Sequence, residues 1–298
     1  MRFLFFMIII LGCGPGKPVT TPEYVKEIEE YYNHRFDRLR SETGWLNLVG
    51  LYWLKEGDNT FGSDSTNTIR MPDKAPPSGG VLTLRNGKIF LKAAKDAILF
   101  HKGNPVTSME MATDADSNTT VIDMGSLRWF IIKRGSDFGI RLRDLESELV
   151  ARFGGIDRFP VDAAWRFDAR WEPYEPARQL LVPTILGTVD TSECNGALVF
   201  DVDGKTHRID AVGKKTDDQL FLIFGDLTNN RETYGAGRYL YVKQADSLGR
   251  IVLDFNKAYN PPCVFTDYAT CPFPPPQNKL HIAITAGEKM FKVGNISH

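Results

Sequence analysis

From Trp45 onward the apolar residues of this chain recur with a period of two, and this constrains its fold more than any other feature. Such alternation puts one face of a strand on a core and the other in solvent, whereas a helix needs a period of 3.6. The pattern begins at 46–54 and continues in short runs at 60–63, 68–71, 81–84 and 88–91. It resumes at 139–144, 165–171, 180–186, 196–202, 206–212, 220–224, 238–243, 250–256 and 280–285. Asn86-Gly87 and Asp203-Gly204 sit between such runs as two-residue hairpin turns. The expected fold is mainly β: a small β-sandwich over 44–135, then a larger antiparallel β-sandwich or barrel over 136–298.

Only the segment before Trp45 is helical in pattern. Thr21-Pro22-Glu23 offers a capping hydroxyl and a proline in the first turn. Tyr24, Ile28, Tyr31 and Leu39 keep helical spacing with charges between them, and Gly44 is a natural stop. Residues 14–43 therefore read as a tether and an amphipathic helix packed on the next domain. Before them, Arg2 and an apolar run from Phe3 to Gly12 have the form of a signal peptide, too short to span a bilayer. The run ends Ile10-Leu11-Gly12-Cys13, which resembles the lipobox of bacterial lipoproteins. On this reading residues 1–13 carry the signal and Cys13 is lipidated. The membrane is then a partner through that lipid, and the protein resides in the bacterial cell envelope, on its periplasmic or surface face.

A net charge of −1 over 298 residues gives no basic footprint for nucleic acid. Arg141 and Arg143 alternate along one run and are expected on its solvated side. In an oxidising compartment, setting Cys13 aside leaves Cys194, Cys263 and Cys271. Cys263 and Cys271 are the natural disulfide pair, because a tight loop joins them; Cys194 is expected to be a small buried hydrophobe. No two of the five histidines stand at ligand spacing, and there is no H-E-x-x-H, G-x-S-x-G, P-loop or C-x-x-C. No metal or cofactor is expected. Gly235-Ala236-Gly237 precedes a strand rather than a helix, so it reads as a turn, not a phosphate cradle.

Between Leu253 and Asn278 the chain carries six prolines and both candidate disulfide cysteines. Prolines fix φ and remove donors, so this is a stiff clamp. The polar residues near it are the candidate site. In 238–243, Arg238 falls on the face of Leu240 and Val242, where an unpaired guanidinium is costly. Asp254 is its first candidate partner and Asp226 its second. With Asn256, Tyr259, Asn260 and Glu288 they form a set able to bind glycan hydroxyls or another polar small molecule. With two carboxylates suitably spaced, the same set is a hydrolase site, the alternative reading. Asn and Asp beside proline are also turn formers, which makes a purely structural envelope protein the third reading.

Several stretches resemble one bacterial family. They are 44–72, GIRLRD at 139–144, LFLIFGDLT at 220–228, ETYGAGRYLYV at 232–242, LDFNKAYNPPC at 253–263, ATCPFPPPQN at 269–278 and AGEK at 286–289. The family is known as a domain of unknown function, number sixteen eighty-four, so the resemblance implies membership without an activity. The first β unit is also similar to a forkhead-associated domain, in the pattern L-x-x-G-x-N-x-F-G-S-x-x-x-N-x-I from Leu54 to Ile69. That fold reads phosphothreonine with an arginine after the glycine and a Ser-x-x-His loop. Here Ser63 follows Gly62, and Gly79, Gly80 and Val81 follow Ser78, so both phosphate-reading features are missing.

Overall fold

The structure, a computed structural model, describes residues 18–292. The signal segment, Cys13 and residues 14–17 lie outside them. Helix α1 (Pro22–Arg40) starts as its sequence predicts, with the Thr21 hydroxyl accepting from the Tyr24 N–H at 3.3 Å. Tyr24, Ile28, Tyr32, Arg35 and Leu39 are buried, spaced three or four apart, and form one inward stripe. Tyr31 is only half-buried; Tyr32 takes the inward position. The helix ends at Ser41, and at Gly44 any Cβ would collide with the Leu39 carbonyl.

The first β unit holds β1 (Leu48–Trp53), β2 (Gly57–Gly62), β3 (Ile69–Arg70), β4 (Gly80–Arg85), β5 (Lys88–Ala93), β6 (Phe100–His101), β7 (Asn104–Pro105), β8 (Ser108–Met111), β9 (Val121–Met124), β10 (Leu127–Arg134) and β11 (Asp137–Asp144). Two sheets, ordered β1-β11-β10-β9-β6-β7 and β3-β2-β4-β5-β8, enclose Phe61, Leu82, Trp129, Ile131 and Ile140. Asn86 and Gly87 both take positive φ (52° and 75°), the conformation a two-residue type I′ hairpin requires. The expected division at 135/136 falls in the turn of the β10–β11 hairpin. The sandwich continues to Asp144, because Ile140 and Leu142 face its core and β11 pairs with both β10 and β1.

After a short α2 (Glu148–Arg152), the second unit contains β12 (Arg166–Pro183), β13 (Val189–Val202), β14 (Lys205–Ala211), β15 (Gln219–Phe224), β16 (Arg238–Lys243) and β17 (Arg250–Asp254). The runs at 165–171 and 180–186 merge into the single strand β12, which shifts register against β13 between Pro173 and Arg178. The six strands form two antiparallel sheets that curl into an open barrel, unclosed between β16 and β17. The ladder β14-β13-β12-β17 meets the β15-β16 pair through a Val212–Phe221 bridge, and β16 returns to the chain just past β17 through Tyr239–Tyr259. Leu198, Phe200, Ile209, Leu222, Phe224, Leu253 and Phe255 fill the interior. Each such side chain contributes about 1.5–3 kcal/mol on burial.

The proline-rich clamp secures this barrel. Asn278 accepts from Asp210 N–H (2.8 Å) and donates to the carbonyls of Asp210 (2.9 Å) and Ile223 (3.0 Å), which ties β14 to β15. Phe265 reaches away from the barrel into a cluster with Leu39, Leu46, Phe153 and Ile156, joining helix, linker and clamp. Arg141 and Arg143, expected in solvent, are buried instead. Trp45 covers both, Thr270 of the clamp accepts from Arg141 at 3.3 Å, and Arg143 donates to Gly44 O and Asn47 Oδ1. Strand alternation put them on the face away from the sandwich core, and Trp45 and the clamp cover that face.

Candidate functional site

Most of the candidate residues are locked into the structure. Arg238 pairs with Asp226, not with Asp254: Nη2 to Oδ2 is 2.9 Å, with both side chains fully buried. The same guanidinium donates to the carbonyls of Ile284 (2.9 Å) and Ala286. The other Asp226 oxygen accepts from Thr228 N–H (2.8 Å) and Thr228 Oγ1 (2.6 Å). Chain order alone could not select between two aspartates; Asp226 prevails because the turn after β15 faces the first residue of β16.

Asp254, Asn256, Asn260 and Glu288 serve helix α1 and its seat. Asp254 Oδ1 accepts from Tyr24 Oη (2.8 Å) and caps the short turn after β17 by accepting from Asn256 N–H (3.1 Å). Asn256 donates to Asp162 O (2.9 Å) and accepts from Asp162 N–H (3.0 Å). Glu288, wholly buried, binds Arg35 through both carboxylate oxygens and accepts from Asn260 N–H at 2.6 Å. Asn260 donates in turn to Lys289 O at 2.7 Å. Asp226 and Glu288 are therefore consumed by structural partners, Asp254 keeps Oδ2 without a hydrogen bond among the described residues and 3.9 Å from Lys257 Nζ, and the three do not converge on one cavity.

Tyr259 lies elsewhere, in a cleft of about 1360 Å³ between α1 and the edges of β16 and β17. Asp254 touches its wall. The two strands are joined by a loop yet share no ladder. The hydrogen-bond pattern explains what their edges offer. Tyr239 exchanges both backbone bonds with Tyr259, so the groups of Tyr241 and Lys243, two and four residues on, point the same way, into the cleft. Gly249 bonds to Trp171 on β12, so the groups of Val252 point away from β12, into the same cleft. Among the described residues these backbone donors and acceptors have no protein partner.

The wall between them is aromatic. Phe221 and Tyr241 stack at 4.8 Å, Tyr241 and Tyr259 run nearly parallel at 6.3 Å, and the Arg35 guanidinium lies 4.4 Å over Tyr259. Tyr31 and Trp45 line the opposite side. Burial raises the Tyr31 phenol to about 12 and pushes Tyr241 and Tyr259 up as well. All three stay neutral hydroxyls at physiological pH; Tyr31 already donates to the Lys257 carbonyl at 3.0 Å and can still accept, while Tyr241 and Tyr259 can donate and accept. Sequence alternation separates Tyr241 from the barrel core. Its meeting with Tyr31 and Tyr259 depends on how α1 docks, for which the sequence carries no signal.

The family described as "Protein of unknown function (DUF1684)" matches residues 151–289. Residues 151–289 are a DUF1684 region. The DUF1684 region spans the whole barrel, the clamp and Glu288, whereas the helix wall of the cleft, with Tyr31, Arg35 and Arg38, precedes it. Among solved structures, the chain is similar to an uncharacterized protein of Haloarcula marismortui determined by solution NMR, at 30% identity with a TM-score of 0.40. The match covers 48% of this chain and 80% of that one. The FHA domain of FhaA, solved with an intracellular protein domain, matches at 17% identity and TM-score 0.22, over 31% of this chain and 97% of that one. A search of curated proteins found no match.

The expected Cys263–Cys271 disulfide is not formed: both are free cysteines, as is Cys194. The clamp does bring them together, and Cys271 Sγ accepts from Cys263 N–H at 3.1 Å. The Cys271 thiol and then the Tyr234 hydroxyl hold Cys263 below the usual thiol range, while the same contact raises Cys271. Cys194 is fully buried. Peptide mapping after brief iodoacetamide treatment should find Cys263 alkylated first among these three. Its labelling should begin below the ordinary thiol midpoint of about 8.5. Equal or faster labelling of Cys194 would contradict this placement.

Proposed function

We propose that this protein is a lipid-anchored protein of the bacterial cell envelope that binds a glycan or similar hydroxyl-rich small ligand in the cleft of the barrel. The observation that carries the reading is the pairing of an aromatic wall with unpaired backbone edges. Sugar rings present apolar C–H faces that suit Phe221, Tyr241, Tyr259 and Trp45. Their hydroxyls suit the phenols of Tyr31, Tyr241 and Tyr259 and the free peptide groups of Tyr241, Lys243 and Val252. Anchoring through Cys13 rests on the signal-like run before it and would hold the cleft at the membrane surface. The hydrolase alternative has less support, since Asp226 and Glu288 are committed to neighbours and Asp254, with one oxygen unbonded, shares the cleft with neither of them.

A glycan array followed by titration tests this, with Trp45 as a fluorescent reporter in the cleft wall. Tyr241 is half exposed, so Tyr241→Ala should leave folding intact. Affinity is expected to fall about tenfold, equivalent to about 1.4 kcal/mol. Unchanged affinity in Tyr241→Ala would place the ligand outside the cleft.

A further inference from the structure

We propose that the glycan is acidic and that Arg38, assisted by Lys243, reads its anionic substituent; this rests on the cleft being a glycan site. Six cationic and three acidic side chains line the cleft. Most of that charge is neutralised within the protein. Arg35 is held by Glu288, and Lys257 meets Glu27 at 2.5 Å and Asp254 at 3.9 Å. Arg166 meets Glu27 at 3.4 Å, and Arg250 lies between Asp246 (3.2 Å) and Asp168 (3.6 Å). Among the described residues, Arg38 and Lys243 are the two cleft cations with no ion pair.

Their positions make this surplus specific. Arg38 lies on α1 two turns after Tyr31, and its charge favours the ionised form of both the Tyr31 and the Tyr241 phenol. Its guanidinium makes no hydrogen bond to the protein, so its planar fork of donors is available for a carboxylate, sulfate or phosphate oxygen pair. Lys243 follows Tyr241 by two residues on the same face of β16, placing a second positive charge along the same wall. A neutral glycan would leave both charges unused, whereas a uronate or sialate would meet one directly beside the rings.

Paired glycans on an array decide the matter: oligogalacturonates against their methyl esters, and sialylated against desialylated chains. The acidic member of a pair should bind at least tenfold more tightly at low salt, with the preference shrinking as salt rises. Arg38→Gln should abolish the preference for the acidic member, and Lys243→Gln should reduce it. Both residues are exposed, so circular dichroism and the melting temperature should not move. If the neutral member binds as well as the acidic one, and Arg38→Gln changes nothing, the acidic inference fails and the glycan reading stands. If no member of any pair binds, both fall together.

Discussion

Arg238→Met should lower folding stability by about 3–5 kcal/mol, the usual consequence of removing one partner from a buried ion pair. In the wild type the guanidinium and Asp226 are fully buried, 2.9 Å apart, and the arginine also ties down the carbonyls of Ile284 and Ala286. Methionine leaves the Asp226 carboxylate buried with only Thr228 and the Ile284 N–H for compensation. It also releases the last segment of the barrel, which has no ladder of its own. Urea denaturation followed by far-ultraviolet circular dichroism gives the value. Asp226→Asn keeps an acceptor toward Thr228 and should cost less, though it still leaves an unbalanced charge. A loss under 1 kcal/mol in Arg238→Met would mean that Arg238 reaches water and that the pair is not sealed.

Glu288→Ala should cost a similar amount, about 3–5 kcal/mol, and act first on helix α1. Among the described residues Glu288 is the only carboxylate bonded to the buried Arg35, and it also accepts from Asn260 N–H. Without it, Arg35 is a buried cation left with the Asn260 carbonyl at 3.1 Å and the face of Tyr259. Buried attachments that remain include Tyr24 to Asp254 and Tyr32 to the carbonyls of Asn256 and Ala258, and Tyr31 to Lys257 O and the ion pairs of Glu27 and Glu29 hold the more exposed side. Hydrogen exchange should therefore show protection lost across residues 22–40 before it is lost in β12 or β13. Arg35→Met combined with Glu288→Leu should recover part of the stability, because an apolar pair carries no desolvation cost. Uniform loss of protection across the whole chain in Glu288→Ala would refute a local role at the helix seat. Since α1 forms one wall of the cleft, the same variant should also weaken any ligand that Tyr31 and Arg38 contact.

Much of the fold was legible because it is written in local periodicity. Thr21 capping α1, the Asn86-Gly87 turn and the alternating runs in both units all follow from neighbours within a few residues. Where the reading departed from the structure, a distant surface intervened. Arg141 and Arg143 obey strand alternation, yet the face they share is covered by Trp45 and the clamp. The alternation at 139–144 marks a strand but carries no information about which sheet it joins, so the expected division at 135/136 leaves β11 out of the first unit. Cys263 and Cys271 do meet, as their spacing suggests, but as free thiols.

The candidate site divides in the same way. Sequence alone determined that Arg238 sits on an apolar face and must find a carboxylate, because periodicity and the cost of a buried charge are both local facts. It also marked the residues around the clamp as unusually polar for a buried region. Only the tertiary structure decided where those groups point. Asp254, Asn256 and Glu288 turn toward a helix more than two hundred residues earlier, at Tyr24, Tyr32 and Arg35. The cleft exists because β16 and β17 part company and α1 covers one end of the gap. Pairing partners across such separations depend on chain closure and packing, which strand periodicity does not encode.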